Sequence, residues 1–275
     1  MRPIIFAFQL IRQWIFVFSI KLRNIFFAVK VLFEVKNWKE YFKDIYFEPK
    51  EKFIIYQTKD KLQYITRPKT KDRDIFVEIT LGNEYFIDEI KLAENSVVLD
   101  IGAQIGVFSV FISKKVGKIF SFEPVLGNFE LLKKNIELNK LENKIKAFNF
   151  AVSAKNGKQK VFLSENNSGG HSIYGKGKFV EAETKNLEQI FNENKIQKCD
   201  LIKMDVEGAE YDVLYSSTEE TFNKIERIVF ECHEIDKKKK NPKKMIIFLE
   251  SKGFKVKSKS QSNNFPVLFA ERIRV

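Results

Sequence analysis

The 275-residue chain has little of several things that would define a class. Its two cysteines, Cys199 and Cys232, exclude a disulfide framework. Both stand beside apolar runs that read as strands, so buried reduced thiols and an intracellular compartment are expected. Its two histidines, His171 and His233, have no Cys or Asp at the spacing of a zinc site, so no metal is expected. There is no internal repeat, and the only biased tracts are rich in lysine. Hydrophobic residues are 44% and charged residues 31%, which excludes wholesale disorder.

Acid is missing from residues 1–33, which carry +5 of the net +12. Residues 235–260 carry another +8, so the remainder is close to neutral. A chain that lays a whole face on nucleic acid would spread such charge more widely. The run Lys237–Lys240 reads as a solvated loop, with an anionic partner as the sharper alternative. Residues 3–33 are apolar and aromatic, but Arg12 and Lys21 break the uncharged runs. That argues against a spanning helix, which wants about 18 or more apolar residues. A helix in the membrane interface, a helix packed on the body or a partner subunit, and an anchor or signal peptide all remain open.

Three regions are expected: an apolar, basic helical segment at 1–45, lead-in strands and a helix at 46–96, and a main domain at 97–275. Phe53–Gln57, Gln63–Thr66 and Ile75–Thr80 read as strands, and Asn83–Ala93 as a short helix. From Val97 strands and helices alternate. Val97–Ile101, Lys118–Phe122, Lys144–Phe150, Leu201–Met204 and Arg227–Cys232 read as strands, with Val161–Leu163 as a short extra one. Helices are expected at Ile105–Lys115, Gly127–Asn139, Asn186–Glu193, Gly208–Tyr215 and Lys243–Lys252. Phe254–Lys257 and Val267–Arg272 would close the chain as a hairpin. This alternation predicts an α/β fold with a mainly parallel sheet and helices on both faces.

The sharpest motif is Asp100-Ile101-Gly102-Ala103-Gln104-Ile105-Gly106, a strand end, a glycine turn and a helix start. A dinucleotide fingerprint needs glycine where Gln104 stands, and Asp100 would repel a pyrophosphate, so NAD fits poorly. Glu123, ending the second strand, is placed to accept two ribose hydroxyls. Together they suit an adenosine that carries positive charge and no phosphate, as S-adenosylmethionine does. A second motif, Lys203-Met204-Asp205-Val206-Glu207-Gly208-Ala209-Glu210, sets three carboxylates at a strand's C-terminal end. Asp205 is the first candidate for a base, and His171, after Gly169 and Gly170, the second. His233 could line an acceptor pocket. Glu210 reads as a charge complementing a helix N-terminus.

The two motifs, with Phe122-Glu123-Pro124, Asn128, Leu132, Asn135, Asn139 and Ala151-Val152, resemble the FkbM-type class I methyltransferases over roughly residues 72–235. The resemblance implies a Rossmann-like sheet and S-adenosylmethionine as cofactor. It also implies methylation of a hydroxyl on a sugar, glycolipid or other small molecule. By position, Asp100, Gly102, Ala103 and Gly106 would hold the methionine end, Glu123 the ribose, and Ala151 and Val152 the adenine. Asp205 and Glu207 would face the reaction centre. An RNA or protein methyltransferase is the competing enzyme reading. A membrane-peripheral binding protein with a degenerate pocket is the non-enzymatic one. A cytoplasmic protein, in peripheral contact with the inner membrane face through residues 1–33, is expected, and nucleic acid is not an expected partner.

Overall fold

In the computed structural model, residues 23–164, 169–260 and 265–274 are described. Ser168 and most of the apolar, basic segment, residues 1–22, therefore lie outside them. Residues 23–34 form helix α1, followed by α2 (Trp38–Tyr46). The hairpin β1 (Ile54–Gln57) and β2 (Gln63–Thr66) then leads into α3 (Asp72–Gly82).

The main sheet comprises β3 (Val97–Ile101), β4 (Lys118–Phe122), β5 (Ile145–Phe148), β9 (Leu201–Met204), β10 (Arg227–Glu231), β11 (Phe254–Ser260) and β12 (Pro266–Arg272). Its order is β11-β12-β10-β9-β3-β4-β5. The five central strands are parallel, and β12 runs against both of its neighbours. The chain leaves β3 toward β4 and β5, then returns to the other side of β3 at β9. That reversal makes the gap between β3 and β9 a topological switch point, where open α/β sheets bind ligands.

Both faces are covered, so the strands are apolar on both sides. Val98, Ile119, Leu201 and Val229 pack with α1, α3, α4 (Val107–Ile112) and α5 (Leu126–Leu138). Leu99, Phe120, Ile202 and Phe230 pack with α6 (Leu187–Glu193), α7 (Glu210–Tyr215), α8 (Glu219–Asn223) and α9 (Pro242–Ser251). A small second sheet, β6-β8-β7, joins Ala151–Val152 to Phe179–Lys185 and Gly157–Phe162. Cys199 and Cys232 are buried thiols, and burial pushes Cys232 up to about 12.

Two expectations fail in the lead-in. Ile75–Thr80 is helical, because α3 begins at Asp72 and its buried side chains include Asp72, Phe76 and Ile79, at helical spacing. Asn83–Ala93 is a series of turns, because Asn83 and Phe86 take left-handed backbone angles that end α3 and prevent another helix. Tyr85, Phe86 and Ile90 are nevertheless buried there.

Gly102 and Gly106 both have positive φ, +73° and +85°, but for different neighbours. A Cβ at Gly102 would stand 1.9 Å from the Asp205 carbonyl oxygen, a fixed backbone atom. At Gly106 it would meet the Leu132 Cδ1 at 2.4 Å, a side-chain end that can turn away. Gly102→Ala is therefore expected to cost about 3 kcal/mol or more, and Gly106→Ala about 1–2 kcal/mol. Urea denaturation of both variants measures the order; equal losses would contradict it.

Candidate active site

The site forms where β3 and β9 end. In sheet register Asp100 lies opposite Lys203, with Ser121 on Asp100's other side. These polar residues occupy the row that Val98 and Leu201 begin. Asp100 is fully buried and accepts from the Ser109 hydroxyl at 2.6 Å. The Lys203 ammonium lies 3.2 Å from its other oxygen and donates to the Gly102 carbonyl at 3.0 Å. Lys203 also lies over the Tyr85 and Phe108 rings, 5.4 and 5.8 Å from their centroids. Burial would lower the Lys203 pKa, but Asp100 and Asp205 outweigh it and hold the ammonium protonated.

Asp100 therefore differs from the expectation. It is not among the residues walling the two cavities described below; it sits beneath Lys203 and fixes it. Lys203 itself lines the cavity, and the sequence reading passed over it. Gly106 also stands back from the cavity wall, at the N-terminus of α4.

The turn after β3 is not an anion cradle. Gly102 and Ala103 both donate their N–H groups to the Phe122 carbonyl at 3.0 Å, and Gln104 N–H donates to Glu123 at 2.9 Å. No amide from 102 to 104 is left for a phosphate, which agrees with the poor fit to a dinucleotide. Gln104 adopts a left-handed angle and donates its side-chain amide to Asp72 at 2.6 Å. Asp72 is gripped by Arg67 through Nε at 2.8 Å and Nη2 at 2.9 Å. Arg67 also reaches Asn128 at 2.8 Å. The lead-in thus braces the glycine turn, a role the sequence showed only as a missing glycine.

A narrow, mostly apolar cavity is walled by Gly102, Ala103, Phe122, Glu123, Ala151 and Val152, with His171 and Asp205 at other points of its wall. Glu123 is 5% exposed and accepts from Val125 N–H at 2.8 Å and Gln104 N–H at 2.9 Å. Burial still dominates and pushes its carboxyl up to about 7. The Asn128 side chain adds a third hydrogen bond, and the buried carboxyl stands in the cavity wall where a ribose could meet it. His171 accepts from Ser164 N–H on Nδ1 at 3.1 Å, and burial, followed by Arg67, lowers its pKa. Neutral His171 therefore carries its proton on Nε2 and offers the cavity a donor, not a base.

Beside it lies a wider cavity of about 750 Å3, within the range of small-molecule sites. The two share Ile75, Ile79, Gly169 and Asp205 as a common wall. Asp205 accepts from the Tyr85 hydroxyl at 3.1 Å. Glu207 faces only the wider cavity and is paired with His233 Nε2 at 3.1 Å. The other face of His233 meets Glu210, 3.2 Å from Nδ1, and Glu210 also accepts His233 N–H at 2.8 Å and Gly208 N–H at 2.9 Å. Burial opposes the charge, but the two carboxylates raise His233 to about 11, so it is an imidazolium at neutral pH. It clamps the 205–210 turn to the end of β10. Glu231, at that strand end, also faces the wider cavity and is pushed up to about 8, first by burial and then by Asp205. The sequence reading ended this strand at Cys232 and named His233 beyond it, but did not single out Glu231. No group of three His, Cys, Asp or Glu residues that could hold a metal occurs among the described residues.

A parallel sheet with one reversed strand, a glycine turn after its first strand and a buried carboxyl after its second define a class I methyltransferase. S-adenosylmethionine is the methyl donor of that class, and a glycine turn whose amides are all taken within the protein suits a donor without phosphates. The model for the methyltransferase FkbM domain matches residues 100–256. The chain therefore belongs to the FkbM methyltransferase family and is a methyltransferase. It is similar to methyltransferase sdnD of Sordaria araneosa, 27% identical over 209 residues covering 64% of this chain and 80% of that protein. It is also similar to Methyltransferase 1 of Beauveria bassiana (strain ARSEF 2860), 23% identical over 224 residues covering 73% and 88%. The crystal structure of an FkbM methyltransferase from Methylobacillus flagellatus KT overlaps it with a TM-score of 0.49 at 11% identity, covering 71% of this chain and 47% of that one.

Two predictions follow from the buried groups. Asp100→Ala strands the Lys203 ammonium and is expected to cost about 3–5 kcal/mol in urea denaturation without ligand. The double variant Asp100→Ala, Lys203→Met should recover most of that loss. If Asp100 only held a ligand, the ligand-free stability would not move. For Glu123, the raised pKa means that the carboxylate is lost as pH falls below about 7. Affinity for 5′-methylthioadenosine, which keeps the ribose and lacks the amino-acid end, should fall roughly twentyfold from pH 7.5 to 5.5. Calorimetry on the parent and on Glu123→Gln tests this, since the variant should show no such slope.

Proposed function

We propose that this methyltransferase uses S-adenosylmethionine to methylate a hydroxyl oxygen of a polyhydroxylated small molecule, such as a sugar or glycolipid. The observation that carries this reading is the pair of cavities joined at Asp205. The narrow cavity would hold the donor, with Glu123 on the ribose, Ala151 and Val152 against the adenine, and Gly102 and Ala103 along the methionine end. The donor supplies an electrophilic methyl carbon. The wider cavity would hold the acceptor, with its oxygen brought in line past Asp205.

The lining of the wider cavity supports a hydroxylated acceptor. Tyr41, Phe42 and Tyr46 give flat apolar surface, and carboxylates give hydrogen-bond acceptors. Among the described residues six carboxyl groups line it, against Arg23, Lys71, Arg73 and His233, a balance that disfavours a polyphosphate chain such as RNA. The lysine run adds no counterweight. Asp236 accepts three of its backbone N–H groups, folding it into a turn, and Lys240 is paired with Asp212 at 2.7 Å.

An alcohol needs a base before it attacks. Asp205 is already engaged by Tyr85 and neighboured by Lys203, whereas Glu231 has charged neighbours mostly of its own sign. Burial first, then Asp205, Glu207 and Glu210, raise its pKa, and His233 opposes them. In this reading Glu231 receives the hydroxyl proton, and Asp205 orients the two ligands.

The test supplies labelled donor to the protein with cell extract separated into small-molecule, lipid and RNA fractions. Label in the small-molecule or lipid fraction supports the proposal, and label in RNA overturns it. Glu231 must be ionised to act, so kcat/KM should rise with pH, reach half its maximum near 8 and level off above that. Glu231→Gln should lower kcat about 100-fold or more and remove that rise. The raised folded pKa also costs stability progressively as pH climbs from the ordinary 4.5 to about 8, so Glu231→Gln should melt higher than the parent at pH 8 and above. An unchanged pH–rate profile would assign the base elsewhere.

A further inference from the structure

Helix α1 buries Phe27 and Val31 against the body, while Ile25, Phe26, Val29, Leu32 and Phe33 remain exposed. At 100° per residue these five fall within an arc of about 120°, a continuous apolar stripe. Phe26 is 52% and Phe33 63% exposed. At the far end of α2, Tyr46 and Phe47 are exposed at 73% and 67%. So much apolar surface on adjacent elements marks an interaction face.

The sequence indicates what covers it. The alternating three- and four-residue spacing of Ile25, Val29 and Leu32 continues upstream through Ile4, Phe8, Ile11, Ile15, Phe18 and Leu22. Residues 1–33 contain five cations and no acid. Arg23 is paired with Glu78 at 3.5 Å and Lys30 donates to the Leu81 carbonyl at 2.7 Å, but the sequence upstream adds Arg2, Arg12 and Lys21 with no acid, so a second copy packed along the same stripe would bring like charges together, against the pairing that coiled coils use. An anionic lipid surface meets both demands, since it takes apolar side chains below the headgroups and neutralises the cations at their level.

We infer that the exposed stripe of α1, with the aromatic end of α2, docks on an anionic bilayer surface. Arg23, Phe27, Tyr41 and Tyr46 of these helices also line the wider cavity. Docking therefore brings one wall of that cavity to the lipid surface. If the wider cavity is the acceptor site, as proposed above, the acceptor is drawn from the membrane, a sugar or other hydroxylated headgroup on a lipid.

Trp38, on α2, is 37% exposed, and the chain's only other tryptophan is Trp14. The full chain carrying Trp14→Phe thus reports from Trp38 alone. It is mixed with phosphatidylcholine vesicles, with and without phosphatidylglycerol, containing brominated acyl chains. Quenching of Trp38 that requires phosphatidylglycerol is the expected result. Phe26→Glu with Phe33→Glu should weaken partitioning roughly hundredfold or more, with an unchanged melting temperature because both side chains are exposed. Absence of vesicle binding, or binding without Trp38 quenching, would overturn the inference. So would a dimer in sedimentation equilibrium that the two substitutions dissociate, since a second copy would then cover the stripe. None of these readouts depends on methyl transfer.

Discussion

The structure turns on a single cross-strand pair. Asp100 and Lys203 face each other in register on β3 and β9, in one row with Ser121 on Asp100's other side. A buried pair of this kind adds little net stability, because desolvation offsets most of the attraction. What it contributes here is position. Lys203 holds the Gly102 carbonyl, Gly102 lacks the Cβ that would strike the Asp205 carbonyl, and Ser109 ties Asp100 to α4. The two strand ends, the glycine turn and the first helix are thereby locked at the switch point. A lone polar residue in that row would leave an unpaired buried charge, so neither partner can change without the other.

The lead-in region adds a second brace from the side. Asp72, Arg67, Asn128 and Gln104 form one hydrogen-bonded chain that ends on Glu123 through the Gln104 backbone. The residues before β3 are therefore part of the site's support. Their side chains also enter the core on one face of the sheet, with Tyr56, Tyr64 and Phe76 buried beside Val98 and Ile119.

Strand positions on the main sheet were legible because their apolar runs stop at an acid or a glycine. Val97–Ile101, Lys118–Phe122 and Leu201–Met204 have the bounds read from the sequence. The reading failed where local pattern and tertiary context compete. Ile75 to Thr80 is a β-rich run, yet as part of α3 it buries Phe76 and Ile79 on the same side as Asp72. Strand β8 was missed because its exposed face carries Glu181 and Glu183, leaving a weak apolar signal. The acids of the site were visible as residue types, but their roles depend on cross-strand register. Asp100 looked like a ligand group because it precedes a glycine turn; register sets it against Lys203. Glu231 looked like an ordinary strand end until Asp205 and His233 converged on it.

The charge arrangement also gives the proposed reaction its direction. Transfer from a sulfonium to an alcohol turns a cation into a neutral thioether and releases a proton. If Glu231 takes that proton, one positive and one negative charge disappear from the site together. In a buried site of low effective dielectric, that mutual neutralisation is favourable, because neither charge was well solvated beforehand. The same reasoning accounts for the remaining ions. His233 stays charged because Glu207 and Glu210 hold it from two sides, and Lys203 stays charged because Asp100 and Asp205 do. Glu231 combines a place on the wider cavity with a carboxyl pushed up to about 8, so in the proposed reaction it is the group whose charge can change without dismantling the scaffold.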